Sequence, residues 1–154
     1  YFLRAQGDLG ETAVASLEGH NLAKHAHRAT FEVADACNLG PAYHGFDLVF
    51  AGNLIERLQD PGAFLSGVHQ LLNDRGVLVI SSPYTLLEDF TPRTKWIGGF
   101  QRNGQPFTVL DGMKEILAPH FELMRDPVDV PFVIRETARK YQHTIAELTA
   151  WQRK

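Results

Sequence analysis

The sequence predicts an α/β protein with a mostly parallel sheet between layers of helices, and one strand–helix–strand segment carries that prediction. The run FDLVFAGN at Phe46–Asn53 does not alternate polar and apolar residues, which is typical of a strand buried on both faces. Apolar residues then recur at helical spacing from Leu54 to Leu72, and Gly76–Ser81 forms a second buried strand. Strand, helix and strand in this order predict a right-handed parallel crossover.

The predicted crossover also indicates where a ligand would bind. Open α/β sheets hold their ligands beyond the carboxyl ends of the strands. Here those ends are Gly52–Asn53 and Ser82–Pro83–Tyr84, together with the end of a preceding predicted strand, Phe31–Ala36. Asp35 at that end is either a turn former or helix cap, or a carboxylate beside a ligand.

Length and composition exclude several classes of protein. The 154 residues suffice for one domain, and a net charge of −3 gives no reason to expect a nucleic-acid or membrane-binding surface. No apolar run approaches the ~18 residues that would suggest a membrane span. Cys37 is the only cysteine, so the chain has no internal disulfide, and we expect a cytoplasmic protein. His20, His25 and His27 lack companion cysteines or carboxylates at metal-binding spacing, so no metal is predicted.

Other segments predict further elements with less regular patterns. Tyr84–Gly99 has aromatics, a proline and paired glycines without a steady period, which is typical of a lid or binding loop. The remaining predictions are a hairpin of Tyr1–Gln6 and Glu11–Ser16, a helix at Leu17–Arg28, a helix at Asp111–Ala118 capped by Asp111, a strand at Phe121–Val130 broken by Pro127, and a final antiparallel strand at His143–Arg153.

The familiar catalytic motifs are absent. There is no G-x-S-x-G, H-E-x-x-H, Walker loop or G-x-G-x-x-G, and Gly98–Gly99 precedes no clear helix that could cradle a phosphate. Pattern alone therefore indicates part of an α/β ligand-binding domain and no more.

The stretch from Phe46 to Pro83 resembles the second half of a class I S-adenosylmethionine-dependent methyltransferase. The shared features are an acid-led strand, Leu58-x-Asp60-Pro61 in the following helix, a Leu-Leu helix end and a Gly-x-Leu-x-Ile strand. From about residue 31 onward the chain is similar to one subgroup, the methyltransferase domain of ovothiol biosynthesis, which methylates a ring nitrogen of 5-thiohistidine (4-mercaptohistidine). The segments that carry this likeness are DACNL, NLIERL, SPYTLLEDFTP, WIGGF, DGMKEILAPHFEL and PFVIRETARKYQHT. Leu86 is a departure, since tryptophan is expected there.

The resemblance implies a partial Rossmann-like class I methyltransferase fold, with a C-terminal antiparallel strand and the first two strands missing. The glycine-rich cofactor turn and the ribose-binding acid would also be missing, so we expect an N-terminally truncated chain that is inactive alone. Residues 1–30 would then be a connecting segment, and residues 31–154 the C-terminal part of the domain. The implied partners are the missing N-terminal half and an upstream iron-dependent sulfoxide synthase.

The resemblance further implies which residues would bind S-adenosylmethionine. Asp35 would accept a hydrogen bond from the adenine amino group, and the backbone of Ala36 would meet the ring. Asn53, with the backbone of Ala51 and Gly52, would lie near the methionine end and the transferred methyl. The alternative for Asn53 is a helix N-cap.

The same resemblance implies a site for thiohistidine. Tyr84, Trp96 and Phe132 would enclose the imidazole and the sulfonium, and Arg135 would pair with a substrate carboxylate or thiolate. The alternatives are a core role for Trp96 and a strand-edge ion pair of Arg135 with Glu136. A neutral imidazole nitrogen has its own lone pair, so no catalytic acid or base is predicted. Methyl transfer to another small molecule, or a non-catalytic chain that only packs against a partner, are alternative functions.

Overall fold

The computed structural model describes all 154 residues and contains one five-stranded sheet, two two-stranded sheets and two α-helices. The strands are β1 (Phe2–Gln6), β2 (Leu9–Thr12), β3 (Phe46–Gly52), β4 (Leu72–Ser82), β5 (Phe100–Arg102), β6 (Gln105–Phe107), β7 (Phe121–Leu123), β8 (Val128–Arg135) and β9 (Tyr141–Arg153), and the helices are α1 (Pro61–Gly67) and α2 (Val109–Leu117). Strands β3, β4, β9 and β7 lie side by side in that order in the large sheet, and β8 pairs with β9.

The predicted parallel crossover is confirmed, but β3 is not buried on both faces as predicted, because it is an edge strand on which Phe46, Leu48 and Phe50 are exposed. Strand β3 pairs with β4 in parallel, with Leu48 opposite Val77 and Gly52 opposite Ser81. The carboxyl ends of the two strands are therefore neighbours. The connecting segment is three short helical pieces, because Asp60 accepts a hydrogen bond from the Ala63 amide and starts a new helix at Pro61. A 3₁₀ turn, Ile55–Arg57, precedes α1, and another, Val68–Leu71, follows it.

Strand β9 confirms the predicted antiparallel C-terminal strand. It pairs antiparallel with β4 from Val77–Gln152 to Ser82–Glu147, and on its other edge with β7. The pair β3–β4 is parallel, whereas β4–β9 and β7–β9 are antiparallel, so this sheet is mixed where the sequence predicted a mostly parallel one. Apolar side chains from β4, the crossover helix and α2 form the buried core, among them Leu65, Leu78, Ile80, Met113 and Leu117.

The segment before α2 is packed directly on that helix. Thr108 and Asp111 form a reciprocal capping box, so Thr108 is the cap where the sequence predicted Asp111. A Cβ on Gly98 would lie 2.1 Å from the Thr108 carbonyl oxygen, and one on Gly112 would lie 1.7 Å from the Ile97 carbonyl oxygen. Only glycine permits this approach of two backbones. The C-terminal part of the predicted lid is thus held against α2.

Two compact units share the chain. One comprises Tyr1–Val33 and Phe132–Thr144, and the other comprises Ala34–Pro131 and Ile145–Lys154. Within the first unit β1 and β2 form an antiparallel hairpin, as predicted. No helix in the structure is both long and apolar enough to cross a membrane.

Two elements predicted near the start of the chain are wrong. Phe31–Asp35 forms no strand, Ala36 begins a 3₁₀ helix, and Phe31 and Val33 are 94% and 106% exposed. A strand needs a neighbour to satisfy its backbone groups, and none lies beside this one. The predicted helix Leu17–Arg28 is a series of turns followed by a 3₁₀ helix, Ala23–Arg28. Asn21, with a left-handed φ of 57°, interrupts it.

Candidate functional site

The carboxyl ends of β3 and β4 are joined by hydrogen bonds between Asn53 and Ser81. The Asn53 amide donates to the Ser81 carbonyl at 2.8 Å and contacts the Ser81 Oγ at 3.2 Å, and that hydroxyl donates to Asn53 Oδ1 at 3.1 Å. Asn53 adopts a left-handed φ of 49°, which asparagine tolerates better than most residues. The alternative of an N-cap is wrong, because the next helical turn is capped at Leu54 without a side-chain bond.

Tyr84 is the second residue that the strand ends fix in a left-handed conformation, with φ 54°. Its amide donates to Ser82 Oγ at 3.0 Å, and its phenol donates to Glu147 Oε1 at 2.6 Å. Burial, together with the hydrogen bond to Glu147 and the negative charges of Glu147 and Glu56, raises the pKa of Tyr84 far above its usual range. The phenol therefore stays protonated and donates to Glu147.

Glu56 and Glu147 are functional candidates that the sequence analysis missed. Glu56 is 1% exposed and accepts a hydrogen bond from Ser82 Oγ at 2.7 Å. Neither carboxylate is among the ion pairs of the structure. The signal that could have found Glu56 is an acid in the middle of the apolar crossover, next to Ile55. Glu147 could be found only from the β4–β9 register, which places it opposite Ser82.

Asp35 performs the capping role that the sequence gave as its alternative. Its Oδ1 accepts the Cys37 amide at 2.9 Å and caps a short 3₁₀ helix, Ala36–Asn38. The side chain is exposed, and a carboxylate has lone pairs for more than one donor, so capping leaves it able to accept from a ligand as well. Ala36 lines a pocket of about 170 Å³ together with Phe64 of α1 and Val68 of the 3₁₀ turn that follows it.

Trp96 is anchored locally. Its indole N–H donates to the Thr91 carbonyl at 3.0 Å, and the Arg93 guanidinium lies 5.1 Å from the ring centroid. Thr91 is fully buried and donates in turn to the Leu58 carbonyl at 2.6 Å. Trp96 remains half-buried and lies outside the fully buried core.

Phe132 and Arg135 belong to the other compact unit. Phe132 is half-buried on β8, while Arg135 is exposed and donates from Nε to the Thr137 carbonyl at 3.2 Å. The alternative ion pair of Arg135 with Glu136 is wrong, because Glu136 pairs with Lys140 at 2.5 Å. The guanidinium of Arg135 has no carboxylate partner in the protein.

The structure thus brings four of the predicted residues to one edge: Ala51, Gly52, Asn53 and Tyr84, held by the consecutive serines Ser81 and Ser82. Asp35 and Ala36 lie next to the start of α1, where the Cys37 thiol contacts the Asp60 carbonyl at 3.4 Å.

Residues 6–80 match the family described as a methyltransferase domain. A protein from a study of the conversion of a disulfide bond into a thioacetal group during echinomycin biosynthesis has a similar fold, with a TM-score of 0.55 and 19% identity. The alignment covers 87% of this chain and 62% of that one, so the present chain spans less than two thirds of its length. Among curated protein sequences none matches the chain.

Two further solved structures are more distant in shape. A methyltransferase from Methanosarcina mazei, described as S-adenosylmethionine-dependent, is 18% identical with a TM-score of 0.45, over 89% of this chain and 78% of its own. A 16S ribosomal RNA adenine methyltransferase from Catenulisporales acidiphilia is 17% identical with a TM-score of 0.47, over 77% and 55%. The fold assignment rests on the family match and on the first structure. The chain therefore has the Rossmann-like α/β fold of the class I S-adenosylmethionine-dependent methyltransferases.

Proposed function

We propose that the protein transfers a methyl group from S-adenosylmethionine to a ring nitrogen of 5-thiohistidine, as in ovothiol biosynthesis. The observation that carries the proposal is the pair of left-handed residues, Asn53 and Tyr84, which the consecutive serines Ser81 and Ser82 bind at the carboxyl ends of the parallel strands. Residues in such conformations persist where the surrounding structure holds them, and they cluster at ligand sites. Ligands of open α/β sheets bind beyond the carboxyl ends of the strands, which supports this edge as the cofactor site.

The residues at this edge fit the polar ends of S-adenosylmethionine. Asn53 is half-buried, and its Oδ1 is occupied by Ser81 while its amide Nδ2 has no partner in the protein, so that group can donate to the methionine end. Asp35 has acceptor capacity beyond its bond to Cys37, which suits the adenine amino group. The backbone of Ala36, Ala51 and Gly52 completes the proposed cofactor set. When bound, the cofactor supplies an electrophilic methyl on a sulfonium.

The proposed acceptor site uses aromatic faces and one cation. Tyr84, Trp96 and Phe132 offer flat surfaces for an imidazole, and the rings attract a nearby positive charge. Arg135 lacks a carboxylate partner in the protein, which leaves its fork of donors for a substrate carboxylate or thiolate.

The chemistry asks little acid–base work of the protein. A neutral imidazole nitrogen attacks with its own lone pair, so the contribution of these residues is to align the ring with the methyl group and exclude water. Alignment of this kind can lower a barrier by on the order of 7–11 kcal/mol. Thiohistidine also presents a sulfur nucleophile, so holding the thiolate away from the methyl, a task suited to Arg135, would select the nitrogen.

The test is product analysis with the full-length protein, S-adenosylmethionine and thiohistidine, with histidine as the matched control. The expected product gains one methyl on a ring nitrogen, located by NMR, and histidine reacts poorly. Methylation on sulfur, or equal turnover of another small acceptor, would favour a different methyltransferase. No turnover of any acceptor by a protein that binds S-adenosylmethionine would favour the non-catalytic alternative.

A further inference from the structure

Tyr84 is held in a backbone conformation that a bulky aromatic residue rarely adopts. Its φ of 54° lies in the left-handed region, where the Cβ meets the backbone. Such a conformation is retained only where the neighbouring structure imposes it. The contacts that impose this conformation therefore contribute to any function of Tyr84.

Those contacts hold both the backbone and the ring of Tyr84. At the backbone end, its amide donates to Ser82 Oγ, which donates in turn to the buried Glu56. At the ring end, the phenol donates to Glu147 Oε1 at 2.6 Å, a distance typical of a hydrogen bond to a charged oxygen. Because Glu147 on β9 lies opposite Ser82 at the end of β4, the two anchors are neighbours across the β4–β9 ladder.

The Glu147 side chain has no other polar contact in the protein. It forms no ion pair, and its one side-chain hydrogen bond is to Tyr84. Partial burial of a carboxylate that has no cation beside it costs desolvation free energy. A glutamate in an exposed surface network would not carry that cost. Because the phenol O–H donates its hydrogen bond to Glu147, the phenol oxygen can only accept a hydrogen bond from any other group.

We propose that Glu147 is a positioning residue for the methyl acceptor: it fixes the Tyr84 ring at the ligand edge and leaves the phenol oxygen to accept a hydrogen bond from an N–H of the acceptor heterocycle. The proposal rests on the proposed function in taking Tyr84 as a wall of the acceptor site. It assigns Glu147 no contact with the reacting atoms. For an imidazole, an N–H held at one nitrogen leaves the lone pair of the other nitrogen for the methyl.

The test is a double-mutant cycle on the full-length protein with Glu147→Ala and Tyr84→Phe. Glu147→Ala removes this bond and is expected to raise KM for thiohistidine about tenfold, with KM for S-adenosylmethionine unchanged. Tyr84→Phe also removes the accepting phenol oxygen and should raise that KM at least as much. The double variant should be no worse than Tyr84→Phe, because Glu147 acts only through Tyr84. Glu147→Gln, which keeps an oxygen acceptor, should recover most of the loss. Glu122→Ala, an exposed glutamate on the neighbouring β7, is the matched control.

Multiplying effects in the double variant, or an equal loss with Gln and with Ala, would overturn the proposal. A second readout needs no substrate. With fluorotyrosine incorporated, the chain gives four tyrosine signals, and Tyr84→Phe identifies the one from Tyr84. Glu147→Ala should move that signal while Glu122→Ala leaves it in place.

The two readouts separate this inference from the proposed function. If the wild-type protein does not methylate thiohistidine, the proposed function fails, and the fluorine signal alone decides whether Glu147 positions Tyr84. A Tyr84 signal that Glu147→Ala does not move would overturn the positioning role, whatever the substrate.

Discussion

Gly112 offers a test of how the Trp96–Gly99 segment is held, because its substitution should change stability in an unusual direction. Replacing glycine by alanine inside a helix normally stabilises by about 0.4–1 kcal/mol. In α2, however, the added Cβ of Gly112→Ala would lie 1.7 Å from the Ile97 carbonyl oxygen. Ordinary C···O contacts are about 3.3–3.6 Å, so one backbone must move by about 1.6 Å or more.

Overpacking of this kind typically costs about 1–3 kcal/mol. That exceeds the alanine gain, so we expect a net loss of about 1–2 kcal/mol, measured as a lower midpoint in urea unfolding. Gly67→Ala is the matched control, since a Cβ at this last residue of α1 meets nothing within 4 Å. It should not lower the midpoint. A Gly112→Ala protein as stable as wild type would mean that the segment is a mobile lid and is not packed on α2.

Four further changes test separate parts of the account. Asp35→Ala should weaken S-adenosylmethionine and S-adenosylhomocysteine equally in calorimetric titrations, since both carry adenine; an unchanged affinity for both would leave Asp35 only its cap. Arg135→Ala should raise KM for thiohistidine roughly ten- to hundredfold with little effect on the cofactor; equal weakening of both ligands would make Arg135 structural. The hydrogen bonds from Thr108 lower the pKa of Asp111 below the usual value for an aspartate, so its contribution to stability is fully present above that usual value and is lost as the pH falls through the folded-state pKa. Asp111→Asn should therefore flatten the acid limb of the unfolding midpoint against pH. Strand β3 lies at a sheet edge and Phe50 on it is 62% exposed, so residues 1–154 should self-associate. Sedimentation measures this self-association, and Phe50→Lys should reduce it.

Elements whose patterns are local and strong could be predicted from the sequence. The unalternating run of β3, the apolar run Gly76–Ser81 in β4 and the Asp60–Pro61 helix start each determine structure within a few residues. Phe31–Ala36 failed for the opposite reason. Its β-propensity is local, but a strand forms only where another strand pairs with it, and that information lies outside the segment.

The candidate site was predictable only in part. Gly52 ends β3, Asn53 follows it directly and Tyr84 lies two residues beyond β4, so strand ends found in the sequence also locate them. Glu147 lies in the middle of β9, and nothing near it in the sequence shows that it faces the end of β4. The Asp35 cap and the choice of Lys140 as the partner of Glu136 also depend on side-chain directions that spacing leaves open.

The location of the ligands tests the central claim most directly. The measurement is a crystal structure of the full-length protein with S-adenosylhomocysteine and thiohistidine. We predict the sulfur of the cofactor product next to Asn53, with the imidazole against Tyr84 and a ring nitrogen facing that sulfur. Ligands bound in the pocket beside Ala36, Phe64 and Val68, with Asn53 and Tyr84 untouched, would contradict the account.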